Sequence, residues 1–201
     1  MARTVGSAAD ETRQRILDIS VDLFIEQGYA GTSVRDIAER LGMTKGSLYY
    51  HFASKEDVLK ALVAPLLTDL EQFVADARAA PRIDRPLIER LVNLLDTHGV
   101  LVRSLMGDPS VMHGLAGRRE MKWRIAALQR SLASSDDRDA LLRGRCALGV
   151  INAATIAPRF DLADTDGLAD RERAVRARLS ESEKRLVVEA ALAVLSVTAD
   201  R

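Results

Sequence analysis

The sequence of 201 residues predicts an all-helical fold, for three reasons. Apolar residues recur every three or four positions through most of the chain, which is the spacing of one face of an α-helix. Several of these stretches begin with a serine followed three residues later by an acidic residue, and end at glycine or proline. No stretch alternates apolar and polar residues as a strand does, and no segment repeats. Helices must therefore pack on helices.

The first predicted helices are short and closely spaced. Residues 11–27 form an amphipathic helix that Gly28 ends. A capping signature opens a second, short helix at Ser33, which Gly42 ends, and residues 45–52 form a third helix-sized piece. Two short helices joined at a glycine by about three residues have the layout of a helix-turn-helix.

The remaining predicted helices are longer. Ser54 begins a fourth helix whose apolar positions continue to Phe73. Because Pro65 removes a backbone hydrogen bond inside it, we expect a kink there. Later helices are predicted at residues 87–106 and 118–132, from Ser135 or Asp136 to Ala157, and at residues 186–197 after a capping box of Ser180 and Glu183. We expect a turn-rich connection at residues 107–117 and a mobile loop at residues 159–179.

The composition excludes several classes of protein. Basic and acidic side chains number 29 each, so any contact with nucleic acid must be local. The single cysteine, Cys146, excludes an internal disulfide framework. No apolar run approaches the ~20 residues of a membrane span, and the N-terminus lacks the apolar stretch of a secretion signal. We therefore expect a cytoplasmic protein without a membrane partner.

No motif indicates catalysis. Cys146 has no histidine near it in the sequence, and the three histidines lack metal-ligand spacing. Neither a glycine-rich phosphate loop nor a zinc-binding HExxH helix is present. We expect neither an enzyme nor a bound cofactor or metal.

The predicted third helix carries two kinds of surface. Leu48 and Phe52 are four residues apart and can anchor it, while Lys45 and Tyr49 form a second stripe with the same spacing. A recognition helix directs its N-terminal residues toward base edges, where lysine donates to guanine. The aromatic residues can equally be core residues, and glycine-turned helix pairs also occur in proteins that never touch DNA. The spacing alone leaves both interpretations open.

Several motifs in residues 12–63 agree with one known domain. They are GY at 28–29, TSVRDIA at 32–38, Gly42, KGSLYYHF at 45–52 and SKE at 54–56. Together they resemble the N-terminal DNA-binding domain of TetR-family transcriptional regulators, over about a quarter of the chain. Met43 departs mildly from the family, which more often has a smaller residue there. The resemblance implies base-facing or groove-facing positions at Thr44, Lys45, Gly46 and Tyr49, and phosphate-contacting positions at Thr32, Ser33, Tyr50, His51 and Lys55.

The same resemblance implies two domains. Residues 10–55 would be the three-helix DNA-binding domain, and residues 56–201 an all-helical ligand-binding and dimerisation domain. In the family the last two long helices pair with a partner's to form a four-helix bundle. Candidate seam residues are Leu148, Ile151, Ala154 and Thr155 on one helix and Val188, Leu192 and Leu195 on the other. The alternative is that both helices are simply core of one chain.

A ligand chamber would lie among the far end of the fourth helix, the predicted helix at residues 87–106 and the segment at residues 121–132. Aromatic residues are few after the first quarter of the chain, so a small apolar or amphipathic effector suits the chamber better than a flat polycationic one. The polar candidates are Asn93, Thr97, His98, Arg103, His113 and Asn152, with Met106, Met112 and Trp123 as walls.

These expectations describe a homodimeric, ligand-responsive repressor of a pseudo-palindromic DNA operator. Effector binding would shift the fourth helix and change the distance between the two reading heads. Two alternatives stay open: a helical small-molecule-binding protein without DNA recognition, and a constitutive DNA binder whose C-terminal part only dimerises. Activation instead of repression also stays open.

Overall fold

The computed structural model describes residues 5–106, 111, 119–157 and 175–197. Within these ranges the chain forms helices and no strand, which confirms the all-α prediction. None of the helices described there is long and apolar enough to cross a membrane. The helices are α1 (Val5–Gly31), α2 (Val34–Arg40), α3 (Lys45–His51), α4 (Lys55–Ala79), α5 (Arg85–Met106), α6 (Arg119–Ser131), α7 (Arg138–Thr155) and α8 (Glu181–Ser196).

The predicted helix ends are mostly confirmed. Gly28 breaks the helical path near the end of α1 with a φ of 78°. The Ser33–Asp36 and Ser180–Glu183 capping boxes both form, at α2 and α8. Hydrogen bonds from the Ser33 amide and then its hydroxyl hold the pKa of Asp36 below its usual value.

Several expectations about the helices are corrected, stay predictions or lie outside the described residues. The N-cap of α7 is Asp137, not Ser135 or Asp136, because its carboxylate accepts the amides of Asp139 at 3.0 Å and Ala140 at 2.9 Å. Helices α5 and α8 begin earlier than predicted. Helix α4 runs without interruption through Pro65, so a kink there stays a prediction. Apart from residue 111, the predicted connection at 107–117 lies outside the described residues, as does most of the predicted loop at 159–179.

Apolar side chains form three clusters. One holds α1, α2, α3 and the start of α4 together, with Ile16, Ile37, Leu48 and Val58 fully buried. The largest joins α4, α5, α6, α7 and α8 in the C-terminal part. The third, which we call the joint, lies between them and consists of Phe24, Tyr29, Leu59, Val63, Leu105 and Val111.

The predicted dimer seam is wrong, because its residues lie inside one chain. Leu148, Ile151, Thr155 and Val188 are at most 3% exposed. Ala154, Leu192 and Leu195 pack against the same large cluster and are only partly exposed. The inward faces of α7 and α8 supply this core, because the two helices pack on each other and on α5. The alternative, that both helices are core of one chain, is correct for these residues.

Gly42 makes the turn between α2 and α3. Its φ is 65°, and an added Cβ would meet no atom within 4 Å. We expect Gly42→Ala to lower the free energy of unfolding by about 1–2 kcal/mol, because an L-residue is strained in the left-handed region. Urea unfolding followed by circular dichroism measures this change.

Gly31→Ala is the matched control for Gly42→Ala. Its Cβ would make an ordinary contact of 3.8 Å with the Cβ of Gln27, and its φ is not left-handed. We expect little change in its stability. Equal effects of the two substitutions would contradict the assignment of the Gly42 cost to backbone strain.

Candidate functional site

Helix α3 is anchored on one side by two buried residues. Leu48 is 0% and Phe52 2% exposed, as the spacing predicted. A further contact, which no pattern in the sequence indicated, comes from Arg13 of α1 at the C-terminal end of α3. Its guanidinium donates to the carbonyl of His51 at 2.8 Å and lies 4.0 Å above the centre of the Phe52 ring. The opposite face of α3 is therefore held in a fixed orientation.

The outer face of α3 is polar, aromatic and exposed. Tyr49 is 44% and Tyr50 84% exposed, and the Nζ of Lys45 lies 5.6 Å from the centre of the Tyr49 ring. The side chain of Tyr50 meets His51 edge to face, with ring centres 5.4 Å apart. Residues 41–55 contain no Asp or Glu, so α3 contributes the charge of Lys45 and no negative charge to this surface.

The N-terminus of α3 is open to close approach. Thr44 caps the helix, since its hydroxyl oxygen accepts the amide of Ser47 at 3.1 Å, and the hydroxyl hydrogen remains available as a donor. Beside it, Gly46 and Ser47 are exposed. The predicted base-facing residues Thr44, Lys45, Gly46 and Tyr49 are thus brought together on one surface.

Two of the predicted phosphate contacts have side chains turned into the protein. Thr32 is 1% exposed, and its hydroxyl donates to the carbonyl of Gly28 at 2.8 Å. The ammonium of Lys55 donates to the carbonyls of Tyr29 at 2.7 Å and Thr32 at 2.8 Å. Both side chains donate to backbone carbonyls around the end of α1. This corrects the expectation that the two side chains point outward to contact phosphates. They fix the loop that carries Ser33, which is exposed.

Three of the predicted ligand contacts line one groove. Asn93, Thr97 and His98 lie on an open cleft of about 560 Å³ between α4 and α5. The Nε2 atom of His98 is 2.8 Å from Oδ2 of Asp69, so this pair ties α5 to α4. The groove is open and most of its lining residues are polar or charged, unlike the enclosed apolar chamber that the sequence suggested.

Arg103 has a structural role in place of the expected ligand contact. It is 4% exposed, and its guanidinium donates to the carbonyls of Val175 at 2.9 Å, Ala177 at 2.6 Å and Thr155. The segment after residue 174 is thereby fastened to α5 and to the end of α7. Gly99 makes room for this, because a Cβ there would lie 2.6 Å from the carbonyl oxygen of Thr155. No periodicity in the sequence indicated this arrangement.

The other ligand candidates do not join the groove. Trp123 is 61% exposed on α6, and Asn152 is half-buried on α7. The side chain of Met106 and all of Met112 and His113 lie outside the described residues. The described candidates therefore do not form one enclosed chamber.

Comparison with known proteins agrees with this geometry. Residues 16–62 match the family model described as bacterial regulatory proteins, tetR family. The HTH-type transcriptional regulator SrpR of Pseudomonas putida is 41% identical over 71 residues, 35% of this chain and 33% of that protein. The HTH-type transcriptional repressor KstR2 of Mycobacterium tuberculosis is 40% identical over 93 residues, 45% of this chain and 44% of that protein. The chain thus spans about a third to a half of the length of these curated relatives.

The similarity in fold extends further than the similarity in sequence. The structure of the ketosteroid transcriptional regulator KstR2 of Mycobacterium tuberculosis superposes with a TM-score of 0.58 and 20% identity. The superposition covers 92% of this chain and 93% of that one. It shows a shared helical fold that includes the C-terminal part, where the sequence carried no recognisable motif.

Proposed function

We propose, from the match of residues 16–62 to the tetR family model, that this chain is a homodimeric transcriptional regulator. In its simplest form it is a repressor that binds a pseudo-palindromic operator in double-stranded DNA and is released by a small-molecule effector. Residues 10–55 would bind DNA, and residues 56–201 would dimerise and bind the effector. The observation that carries the proposal is the exposed, acid-free outer face of α3, held in place by Leu48 and Phe52.

Each exposed residue of α3 has a role in the proposal. Lys45 and Tyr49, with Thr44 and Gly46 beside them, enter the major groove and meet base edges. Ser33, Tyr50 and His51 donate to phosphates on either side, which fixes register without reading sequence. Thr32 and Lys55 act through the backbone, by holding the loop before α2 in position.

A dimer fits an outward surface of α7 and α8 that differs from the predicted seam. Leu142 is 53%, Leu186 70% and Val197 58% exposed, and small residues lie between them. Small side chains let two helices approach closely, and two reading heads need a two-fold axis to meet two half-sites. We define the outward face as Leu142, Cys146, Gly149 and Ala153 on α7 with Leu186, Ala190 and Ala193 on α8 and Val197 at its C-terminal cap.

We expect Ala153→Arg to convert the dimer to a monomer. Ala153 is exposed in the single chain, so the substitution leaves the core intact, but it places an unpaired charge in the proposed interface. Analytical ultracentrifugation measures the association. Ala75→Arg, at an exposed alanine of α4, is the matched control and should stay dimeric. A dimer that persists in Ala153→Arg would remove this face from the proposed interface.

The effector site in this proposal is the groove between α4 and α5. A small apolar or amphipathic molecule seated there would compete with the His98–Asp69 pair, which joins α5 to the helix that leads out of the DNA-binding domain. The effector needs only to prefer the arrangement that does not bind DNA, and a coupling of ~1–3 kcal/mol is typical.

Selection from random duplex DNA at near-physiological salt tests the proposal. We expect a palindromic consensus whose half-site centres are about 34–36 Å apart, or a multiple of this distance. Binding without a consensus, which weakens steeply as salt rises, would indicate only phosphate contacts and would contradict sequence-specific regulation. No binding at all would favour a small-molecule-binding protein without DNA recognition.

A further inference from the structure

A second pocket lies at the end of α4 that is remote from α3. It has a volume of about 370 Å³ and is enclosed by residues 77–83, the end of α6 around residues 130–134, the start of α7, and Leu195 of α8. It shares no lining residue with the groove between α4 and α5. Its described lining contains four arginines and no acidic residue: Arg78, Arg82, Arg130 and Arg143.

These arginines lack the partners that many other surface arginines have. Arg35, Arg40, Arg85, Arg90, Arg124 and Arg176 each pair with a carboxylate. Against the described part of the chain, none of the four pocket arginines forms an ion pair or a side-chain hydrogen bond. The pKa of Asp137 is lowered first by the Ser135 hydroxyl, then by the Ala140 amide, and only last by the charge of Arg143. Asp137 is therefore engaged as a helix cap.

Two of the arginines have another reason for their positions. Arg78 lies in the last turn of α4 and Arg130 in the last turn of α6, where a cation is favoured by the partial negative charge of the helix end. Arg82 follows α4 in the connecting turn, and Arg143 lies in the second turn of α7. Stabilisation of a helix end does not account for the positions of Arg82 and Arg143. The test of a binding site therefore depends on these two arginines.

The floor of the pocket is mostly apolar, and its buried polar residue, Ser131, donates its hydroxyl to the carbonyl of Leu128. Ala77, Leu132 and Ala140 are buried there, with Ile83 and Leu195 half-buried beside them. Guanidinium groups bind carboxylates and phosphates through paired hydrogen bonds, and an apolar floor binds the rest of a ligand by removing it from water. The volume lies at the lower end of the range for small-molecule sites.

We propose that this pocket binds a small organic anion: a carboxylate or phosphate head joined to a short apolar body. The head would lie between Arg82 and Arg143, and the body on the floor. The site is separate from the effector groove, and its occupancy does not depend on DNA binding, so failure of one proposal leaves the other standing.

Isothermal titration of the full chain with octanoate and with phenyl phosphate tests the inference. We expect each chain to bind one molecule of at least one probe. Octanamide, which has the body of octanoate without its charge, should bind at least about tenfold more weakly than octanoate, and inorganic phosphate at least about tenfold more weakly than phenyl phosphate. The stronger of the two probes identifies the preferred head group.

Substitutions then locate the site. Arg82→Gln and Arg143→Gln should each weaken binding of the stronger probe about tenfold, since each removes one charged hydrogen-bond donor. Arg145→Gln removes the same charge from an exposed position of α7 outside the pocket and should bind as the unchanged chain does.

Four results would overturn the inference. The first is no heat from either charged probe at millimolar concentration, and the second is that octanamide binds as well as octanoate. The third is that inorganic phosphate binds as well as phenyl phosphate, which would show that the apolar floor takes no part. The fourth is binding that survives both Arg82→Gln and Arg143→Gln unchanged, which would place the anion elsewhere.

Discussion

Replacing Tyr49 by alanine is expected to lower the affinity for the selected operator about 100-fold without unfolding the protein. A groove contact contributes about 1–3 kcal/mol, and the loss is doubled because both subunits of a dimer lose it. Tyr49 is 44% exposed and does not belong to the core around Leu48, so its removal leaves the packing of α3 intact. Fluorescence anisotropy with operator and scrambled duplexes measures the affinity.

Two comparisons make the Tyr49 result decisive. Trp123→Ala removes an aromatic side chain of similar exposure from α6 and should leave operator affinity unchanged. Lys45→Ala should weaken operator and scrambled DNA alike if the lysine meets only phosphate, and the operator more strongly if it meets a base. Full affinity in Tyr49→Ala would show that α3 does not read the operator. Loss of helical circular dichroism would show a role in folding instead.

The second large effect is expected at Arg103. Arg103→Met should lower the free energy of unfolding by about 3 kcal/mol or more, because three backbone carbonyls lose a charged donor in a buried place. Because methionine fills a similar volume, the loss of unfolding free energy reflects the lost hydrogen bonds more than a new cavity. Urea unfolding followed by circular dichroism measures the loss.

Arg90→Met is the control for the Arg103 substitution. Arg90 pairs with Asp76 at the surface, where an ion pair contributes little. Arg103→Lys should recover only part of the stability, since one ammonium lacks the planar set of donors that reaches three carbonyls. Equal unfolding midpoints for Arg103→Met and the unchanged chain would contradict the assigned role.

Local signals in the sequence predicted the helices and the anchored recognition helix. A serine with an acidic residue three positions later marks a helix start because it satisfies two orphan amides, and this chemistry is local. The buried pair Leu48 and Phe52 follows from helical spacing alone. The exposure of Tyr49 follows in the same way, since the face opposite an anchor is free.

Long-range contacts were the part that sequence reasoning missed. Nothing local distinguishes an arginine that binds distant carbonyls, such as Arg103, from one that contacts a ligand. The prediction of a dimer seam on α7 and α8 was wrong for a related reason. Each of these helices has one face in the core and one outside. The strongly apolar spacing marks the core face, whereas the outward face mixes a few large apolar residues with small ones and is harder to recognise from the sequence.

The joint has a consequence for the exchange of parts between related proteins. Phe24, Tyr29, Leu59 and Val63 bury their side chains against Leu105 and Val111, so α1 and α4 carry an apolar surface that Leu105 of α5 and Val111 cover. A hybrid that transplants residues 1–63 onto a foreign body would leave that surface mismatched. A hybrid that keeps the fold should therefore take both halves of the joint from the same protein.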